Sequence, residues 1–355
     1  MMKNYRTGII GTGNISLMHA LGYHYCERTQ LVAVCDIHQE QIHRYLERAA
    51  NLPPELQGSI EPDRLTTYSD MLEMVEKEKL DLVSVSTHVD SHCEIVLKLV
   101  EQGIVKGIIC EKPIAVNLAD GQRMVDACER AGIGLAIGHL RRFGPHFRKP
   151  LELIEAGAIG ELTSIWATSP SGEDLLWMGT HTADLLLMYG GEVDWLMGQI
   201  GEILPERTGP GGYPLASPAM GLMRFRSGVL GVIENESGPH RFRFTGTEGE
   251  ILFHERKPQQ SVQLHNARTQ GWAPVHIEAE NTDWLAADGG GERYFGLCFD
   301  DLIACIESGG RPVSDGPNAV AALELLLSIY ESARIRGRVK MPLKNTAYPL
   351  EQWSW

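Results

Sequence analysis

The chain is short of positive charge. Lys and Arg number 32 against 46 Asp and Glu, a formal net charge of −14 over 355 residues. Nucleic acid and anionic membrane surfaces both select basic patches, so neither is expected as a partner. No apolar run approaches the roughly 20 residues that cross a bilayer. The opening MMKNYRTGIIGTGN passes from a few polar residues directly into a strand pattern, which leaves no room for a signal peptide, and the cytoplasm is the expected compartment. The 7 cysteines, Cys26, Cys35, Cys93, Cys110, Cys128, Cys298 and Cys305, are odd in number and scattered, with no CxxC pair. That argues against a disulfide framework or a zinc cluster and suits reduced, mostly buried thiols. His88 and His92 have the spacing of a metalloprotease helix but lack its glutamate, so no metal is expected. Internal repeats and low-complexity tracts are also missing.

The apolar share of 43% with 22% charged residues is that of a soluble globular protein. A chain of this length exceeds what one core usually holds, which predicts two domains. Strand patterns at 5–11, 31–35, 80–87, 105–110 and 133–139 alternate with helix patterns at 14–26, 39–50, 69–77, 90–102 and 118–131. A proline-containing loop covers 52–64. Strands separated by helices of this length pair in parallel through right-handed crossovers, so residues 1–140 are expected to form an α/β doubly wound Rossmann domain.

The pattern changes near Arg141. Helices at 145–156 and 174–189 frame the strand LTSIWATS, and QIGEIL, AMGLMRFR, GVLGVIENE, RFRFTG, EILFHE and SVQLHN follow as short strands. Helices at 293–307 and 315–336 close the chain. Residues 141–355 therefore read as an α+β domain on an open, mostly antiparallel sheet, with a late helix free to return to the first domain. The glycine-rich stretch NTDWLAADGGGERYFG, 281–296, is either a flap over a site or a linker.

Between the first strand and helix lies GTGNIS. Gly11 suits the tight turn, Gly13 lets the backbone approach a pyrophosphate at the helix N-terminus, and Ser16 stands where the full fingerprint has Gly or Ala. Asp36 ends the second strand, where an acid binds the ribose hydroxyls of a dinucleotide. Its carboxylate repels a 2′-phosphate, and Ile37 and His38 offer no arginine to hold one, which favours NAD over NADP. The strand VKGIIC runs into Glu111, Lys112 and Pro113, delivering charge to the carboxyl edge of the sheet, where ligands bind. An amine held there can polarise a hydroxyl or carbonyl.

IIGTGNIS, VSVSTHVDSH, CEKP, GHLRRFGP, AIGELTSI and GTHTADLL occur in the order and spacing of the glucose–fructose oxidoreductase/inositol dehydrogenase/MocA family, and ESARIRGRVKMPL is similar to its C-terminus. The resemblance covers nearly the whole chain. It implies nicotinamide-dependent chemistry on sugars, cyclitols and related alcohols or ketones, and a homodimer or homotetramer formed through the C-terminal sheet. It assigns the cofactor to Gly11, Gly13, Asn14, Ile15, Asp36, Ile37, Ser86, Thr87, His88, His92, Glu111 and Lys112. His92 could equally cap or pack a helix start. The same resemblance makes Lys112 the catalytic lysine, with His181 and Asp184 of WMGTHTAD as its catalytic partners on the substrate side.

Trp177 is a departure, since the family usually has an aspartate there. If residues 177, 181 and 184 lie on one helix they share a face. An indole transfers no proton at neutral pH. Either the acid comes from elsewhere, with Asp174 a candidate, or Lys112 and His181 suffice, and Trp177 is either a stacking platform for the substrate or a core residue. Arg142, Trp166, Ser169, Glu236 and His240 are further candidates for the substrate pocket. Arg142 or Arg243 would bind a carboxylate or serve as a salt-bridge partner. Three activities fit this pattern: net oxidation or reduction with NAD, a redox-neutral cleavage of glycosides by transient oxidation, and a non-catalytic NAD-binding regulator.

Overall fold

The computed structural model describes residues 4–169, 175–208, 213–235, 239–255, 261–277 and 291–353. The chain divides into two compact units. One comprises Met1–Ala115, Asp120–Leu140 and Gly289–Pro317, the other Val116–Ala119, Arg141–Asp288 and Asn318–Trp355. The main cut thus falls beside Arg141, while the late segment from Gly289 belongs with the first unit.

In the first unit β1 (Tyr5–Ile10), β2 (Thr29–Cys35), β3 (Thr66–Tyr68), β4 (Leu82–Val85), β5 (Gly107–Cys110) and β6 (Gly134–Ile137) form a six-stranded parallel sheet in the order β3-β2-β1-β4-β5-β6. β4 and β5 read LVSV and GIIC and are buried at every residue, as parallel strands covered on both faces must be. β3 escapes the sequence pattern because its three residues, TTY, are largely exposed and carry no apolar run. The crossovers are α1 (Ser16–Tyr25), α2 (Gln39–Ala50), α3 (Met71–Glu78), α4 (Val89–Gln102) and α5 (Leu118–Ala131). Asp70 starts α3 by accepting from the amides of Leu72 and Glu73 at 2.8 and 3.0 Å, and Gly103, with φ of 68°, ends α4. Strand order reverses between β1 and β4, so a crevice opens at their carboxyl ends.

In the second unit β7 (Leu162–Ser169), β8 (Val193–Thr208), β9 (Pro214–Phe225), β10 (Leu230–Asn235), β11 (Arg241–Gly246), β12 (Gly249–His254), β13 (Val262–Asn266), β14 (Ala273–Pro274) and β15 (Val339–Lys340) form a nine-stranded sheet. Its order is β14-β13-β12-β11-β7-β10-β9-β8-β15, and only the β7–β10 pair is parallel. The remaining α-helices among the described residues are α6 (Pro145–Glu155), α7 (Gly179–Gly190), α8 (Gly291–Ser308) and α9 (Gly316–Ile335). β9 alternates cleanly, with Ala219, Met223 and Phe225 buried on the face that α7 and α9 cover. The other face carries an apolar row across four paired strands, Met197, Leu222, Val232 and Trp166, of which Met197, Leu222 and Trp166 are exposed at 43 to 48%.

The first unit is closed by α8 lying on α1. A Cβ on Gly22 would strike Phe295 and sit 2.9 Å from Phe299, and one on Gly296 would sit 2.9 Å from Tyr25, so each helix offers a glycine at the crossing. This closeness stacks Phe299 on Tyr23 at 4.0 Å and sets Phe295 against His19 at 4.1 Å.

In the second unit, His146 of α6 is buried against Phe147 and Phe253. Burial, with Arg141 nearby, pushes its imidazole from 6.5 down to about 4. The unfolded chain thus takes up a proton at a pH where the folded chain refuses it, and stability present above pH 6.5 is lost as pH falls toward 4. Urea unfolding should show His146→Phe losing roughly 2 kcal/mol less stability than the native chain between neutral and mildly acidic pH. Equal losses in the two proteins would show that His146 is not the group responsible.

Candidate active site

The dinucleotide loop is built from close approaches. Gly11 adopts a φ of +88°, and a Cβ there would lie 2.7 Å from Thr87 and 2.9 Å from the Ser86 carbonyl. Only glycine fits. A Cβ on Gly13 would meet nothing within 4 Å, so this part of the loop is an open cradle at the start of α1. Ser16 is fully buried and its hydroxyl donates to the Gly13 carbonyl at 2.5 Å, which gives a reason for serine at the third fingerprint position. Ser86 donates to the Gly11 carbonyl at 2.7 Å. Arg48, on α2, donates to the carbonyls of Thr12 and Gly13 at 3.0 and 3.1 Å and to Asn14 Oδ1 at 2.9 Å. No local pattern marks Arg48, whose partners lie 34 to 36 residues away.

Asp36 follows β2 and reaches the same loop. Its Oδ2 accepts from Thr12 N at 2.8 Å and Thr12 Oγ1 at 3.0 Å, and its Oδ1 from His38 N at 2.9 Å. Ile15 and Ile37 are exposed at 39% and 79% beside it. A loop with room for a pyrophosphate, at a helix start and with a carboxylate at its flank, fits NAD.

Around the ends of β4 and β5 the carboxylate of Glu111 is buried. It accepts from His19 Nε2 at 3.1 Å through Oε1 and from the Lys112 amide at 3.1 Å through Oε2. His19 Nδ1 meets Ser84 Oγ at 2.9 Å, and Ser84 Oγ meets the Tyr23 hydroxyl at 2.8 Å. Burial raises the Glu111 carboxyl, but the His19 hydrogen bond and charge, with Lys112, outweigh it and hold the group below the usual range. Lys112 is half-buried at the rim, and its peptide bond to Pro113 is cis. His92 is buried, with Nδ1 3.1 Å from the Pro113 carbonyl and Nε2 3.2 Å from the Thr87 carbonyl. A main-chain carbonyl faces each nitrogen of His92 and one of them takes its N–H, which sets the ring between two loops. Thr87 accepts from Ser91 at 2.8 Å, and His88 is exposed at the start of α4. No cluster of metal ligands occurs among the described residues.

In the second unit α7 carries His181 and Asp184, both buried. The helix begins at Gly179, and Trp177 lies half-buried in the turn before it, so the expected common helical face of 177, 181 and 184 does not form. The break is local: Gly179 packs on Leu175, with no room for a side chain there. Asp184 was expected to face substrate together with His181, and Arg142 was a candidate for a substrate anion. Instead Arg142 Nε donates to both Asp184 oxygens at 2.9 and 2.8 Å, and its Nη2 to the Asp184 carbonyl at 3.3 Å. The ring of His181 stands perpendicular to His240 at 6.3 Å, and His240 Nδ1 is 2.8 Å from the Thr182 hydroxyl.

The alternation of β7 sends Trp166 to the exposed face, where its Nε1 donates to Glu234 at 2.9 Å, away from α7. Arg243 is a surface partner of Glu250 at 2.5 Å. Ser169 is buried at the end of β7. Asp174, Glu236 and residues 281–290 of the glycine-rich stretch lie outside the described residues.

The loop, the acid and the parallel sheet define an NAD-binding oxidoreductase. The model of the oxidoreductase family with an NAD-binding Rossmann fold matches residues 5–139. The chain is 30% identical to the myo-inositol 2-dehydrogenase of Thermotoga maritima, over 95% of this chain and 98% of that protein. It is 27% identical to the 2,7-anhydro-N-acetylneuraminate hydratase of Escherichia coli, over 79% of this chain and 75% of that one. The levoglucosan dehydrogenase solved with NADH and L-sorbose shares the fold, with a TM-score of 0.79 at 20% identity, covering 96% of this chain and 100% of that one. The chain belongs to the glucose–fructose oxidoreductase/inositol dehydrogenase/MocA family and is an NAD-dependent enzyme.

Breaking the Arg142–Asp184 pair leaves a buried charge without its counter-ion. Arg142→Met should therefore cost about 3 kcal/mol or more in chemical unfolding, with Arg142→Met/Asp184→Leu recovering most of the loss. A double variant no better than the single one would show that the pair is not what Asp184 contributes.

Proposed function

We propose that the enzyme transfers a hydride between NAD and a carbinol or carbonyl carbon of a sugar, cyclitol or related compound, with Lys112 and His181 managing the proton. The observation that carries this reading is Lys112 at the carboxyl edge of the sheet, its main chain held by the buried Glu111. The nicotinamide, when bound, supplies the hydride acceptor or donor. Lys112 polarises the substrate oxygen as an ammonium donor, and His181 takes the hydroxyl proton on oxidation or returns it on reduction. Asp184, bound to Arg142, serves this site by fixing α7 beneath His181. The names of the relatives, acting on myo-inositol and levoglucosan, support polyols as the substrate class.

A second reading is favoured by Trp177. Where the family usually sets an acid the enzyme presents an indole, a stacking surface for a sugar ring or an aglycone, and one relative is named as a hydratase. Transient oxidation, elimination and return of the hydride would then leave NAD unchanged.

Product analysis by mass spectrometry separates the two. Incubation with NAD and a panel containing myo-inositol, levoglucosan and aryl glycosides should give a ketone or lactone with equimolar NADH; a cleaved glycoside with NAD intact would establish the redox-neutral reading. Lys112→Ala should lower turnover at least about a thousandfold while leaving the affinity for NADH within a few fold. Undiminished turnover in this variant would remove Lys112 from the mechanism.

The apolar row on the open sheet face is the surface through which we expect the subunits to pair. Contiguous exposed apolar residues of this kind mark association sites. Leu222→Glu should convert the native oligomer to monomers in light scattering, and an unchanged mass would exclude this face.

A further inference from the structure

We infer that His19 is a positioning residue for Lys112, acting through Glu111. The inference rests on the reading of Lys112 as the group that polarises the substrate oxygen. Glu111 is an ionised carboxylate and can only accept, so His19 Nε2, 3.1 Å away, carries the proton of that contact. Nδ1 lies 2.9 Å from Ser84 Oγ, and Ser84 Oγ lies 2.8 Å from the Tyr23 hydroxyl, so the ring is held at both nitrogens and each contact of the row joins a donor to an acceptor.

Such a row could carry protons or hold a shape, and its far end decides between them. Tyr23 is buried, and burial drives its hydroxyl far above the ordinary tyrosine range; His19 is sealed under Phe295. With no outlet to solvent the row delivers nothing. It fixes the carboxylate, and the carboxylate fixes the chain: Oε2 accepts the Lys112 amide at 3.1 Å while the Glu111 amide donates to the Val85 carbonyl at 2.9 Å. The backbone that aims Lys112 is gripped from both sides.

The other titratable groups facing Glu111 are Cys110 on β5, Cys298 on α8, His92 on α4 and Lys112 itself. Burial pushes both thiols up and His92 down, so these three stay neutral near pH 7. His19 is thus the side-chain donor on which ionised Glu111 depends. Without it Lys112 alone opposes burial, the carboxyl takes a proton at higher pH, and the grip on the Lys112 amide loosens.

The test reads the Lys112 amide directly. In protein labelled with ¹⁵N-lysine, with Lys112 assigned by the loss of its signal in Lys112→Arg, the pH response of that amide reports ionisation of Glu111. The native protein should show its transition below the ordinary glutamate range. In His19→Asn, which keeps a partner for Ser84 but cannot reach Glu111, the transition should move up by about one pH unit or more. His19→Gln, which can place an amide donor near the Nε2 position, should restore most of the shift. Turnover of myo-inositol with NAD should fall about tenfold or more in His19→Asn, with KM for NAD within about twofold.

An unmoved amide transition in folded His19→Asn would overturn the proposal, as would equal defects in the Asn and Gln variants. If His19→Asn does not fold, Ser84→Ala, which removes the partner of Nδ1, should move the transition in the same direction by less; no movement there also overturns it. Full activity of Lys112→Ala alongside a moved transition would instead remove the reading of Lys112, and with it the role of His19 in turnover, while the coupling of His19 to Glu111 would stand measured.

Discussion

A carboxylate buried at the end of a central strand costs several kcal/mol unless its oxygens find donors. Glu111 makes that demand, and much of the first unit is arranged around meeting it. Oε1 requires a donor from α1, which brings His19 inward; the other ring nitrogen of His19 requires a polar partner, which makes Ser84 polar in a strand otherwise apolar. Ser84 is completed by Tyr23, whose ring is stacked by Phe299 of α8. A helix from late in the chain therefore seals a polar row that begins beside Lys112. The close crossing of α1 and α8 at Gly22 and Gly296 is part of the same requirement, since any larger residue would lift the rings from the row.

The segments legible from sequence are those whose physics is local. GTGNIS reads as a phosphate cradle because a turn with positive φ and a helix start need glycine at fixed offsets, and the strand before it and the acid after β2 lie within one supersecondary unit. LVSV and GIIC read as buried parallel strands because every residue is short or apolar. Lys112 stands out because the charge follows such a strand directly. What was not legible depends on distant partners. His19 looks like one polar residue on an apolar helix until β4 and β5 place Ser84 and Glu111 beside it, residues 65 and 92 positions away. Arg48 is an ordinary basic residue of a helix's last turn until the glycine loop turns its carbonyls toward it.

Trp177 shows the opposite case, where a motif was read with the right spacing and the wrong helix start. Periodicity says which residues share a face once a helix exists, but not where the helix begins. α7 starts at Gly179, after Trp177, which leaves the indole out of the register of His181. The carboxylate of Asp184 meets a guanidinium at 2.8 Å in a buried setting, a partner that its place in the motif does not announce. Asp36 shows the contrast: its donors are an amide and a hydroxyl of the loop and one further amide, with no cation among them, so its charge remains to meet a ribose.

The two units differ in the kind of rigidity each supplies. In the parallel sheet, strand ends converge on the switch point, and short main-chain contacts such as Glu111 to Val85 set positions there. The second unit instead holds one buried helix, α7, by a salt bridge to Arg142 and by the Tyr189 hydroxyl bonded to the Phe147 carbonyl at 2.6 Å. Its broad sheet has one face committed to helices and on the other the exposed apolar row, flanked by Arg224, Glu234 and Arg243. Half-solvated antiparallel sheets commonly carry polar residues throughout that second face, as the flanking positions here do. That Met197, Leu222 and Trp166 line up there across neighbouring strands is therefore an argument that the face has a second surface to meet.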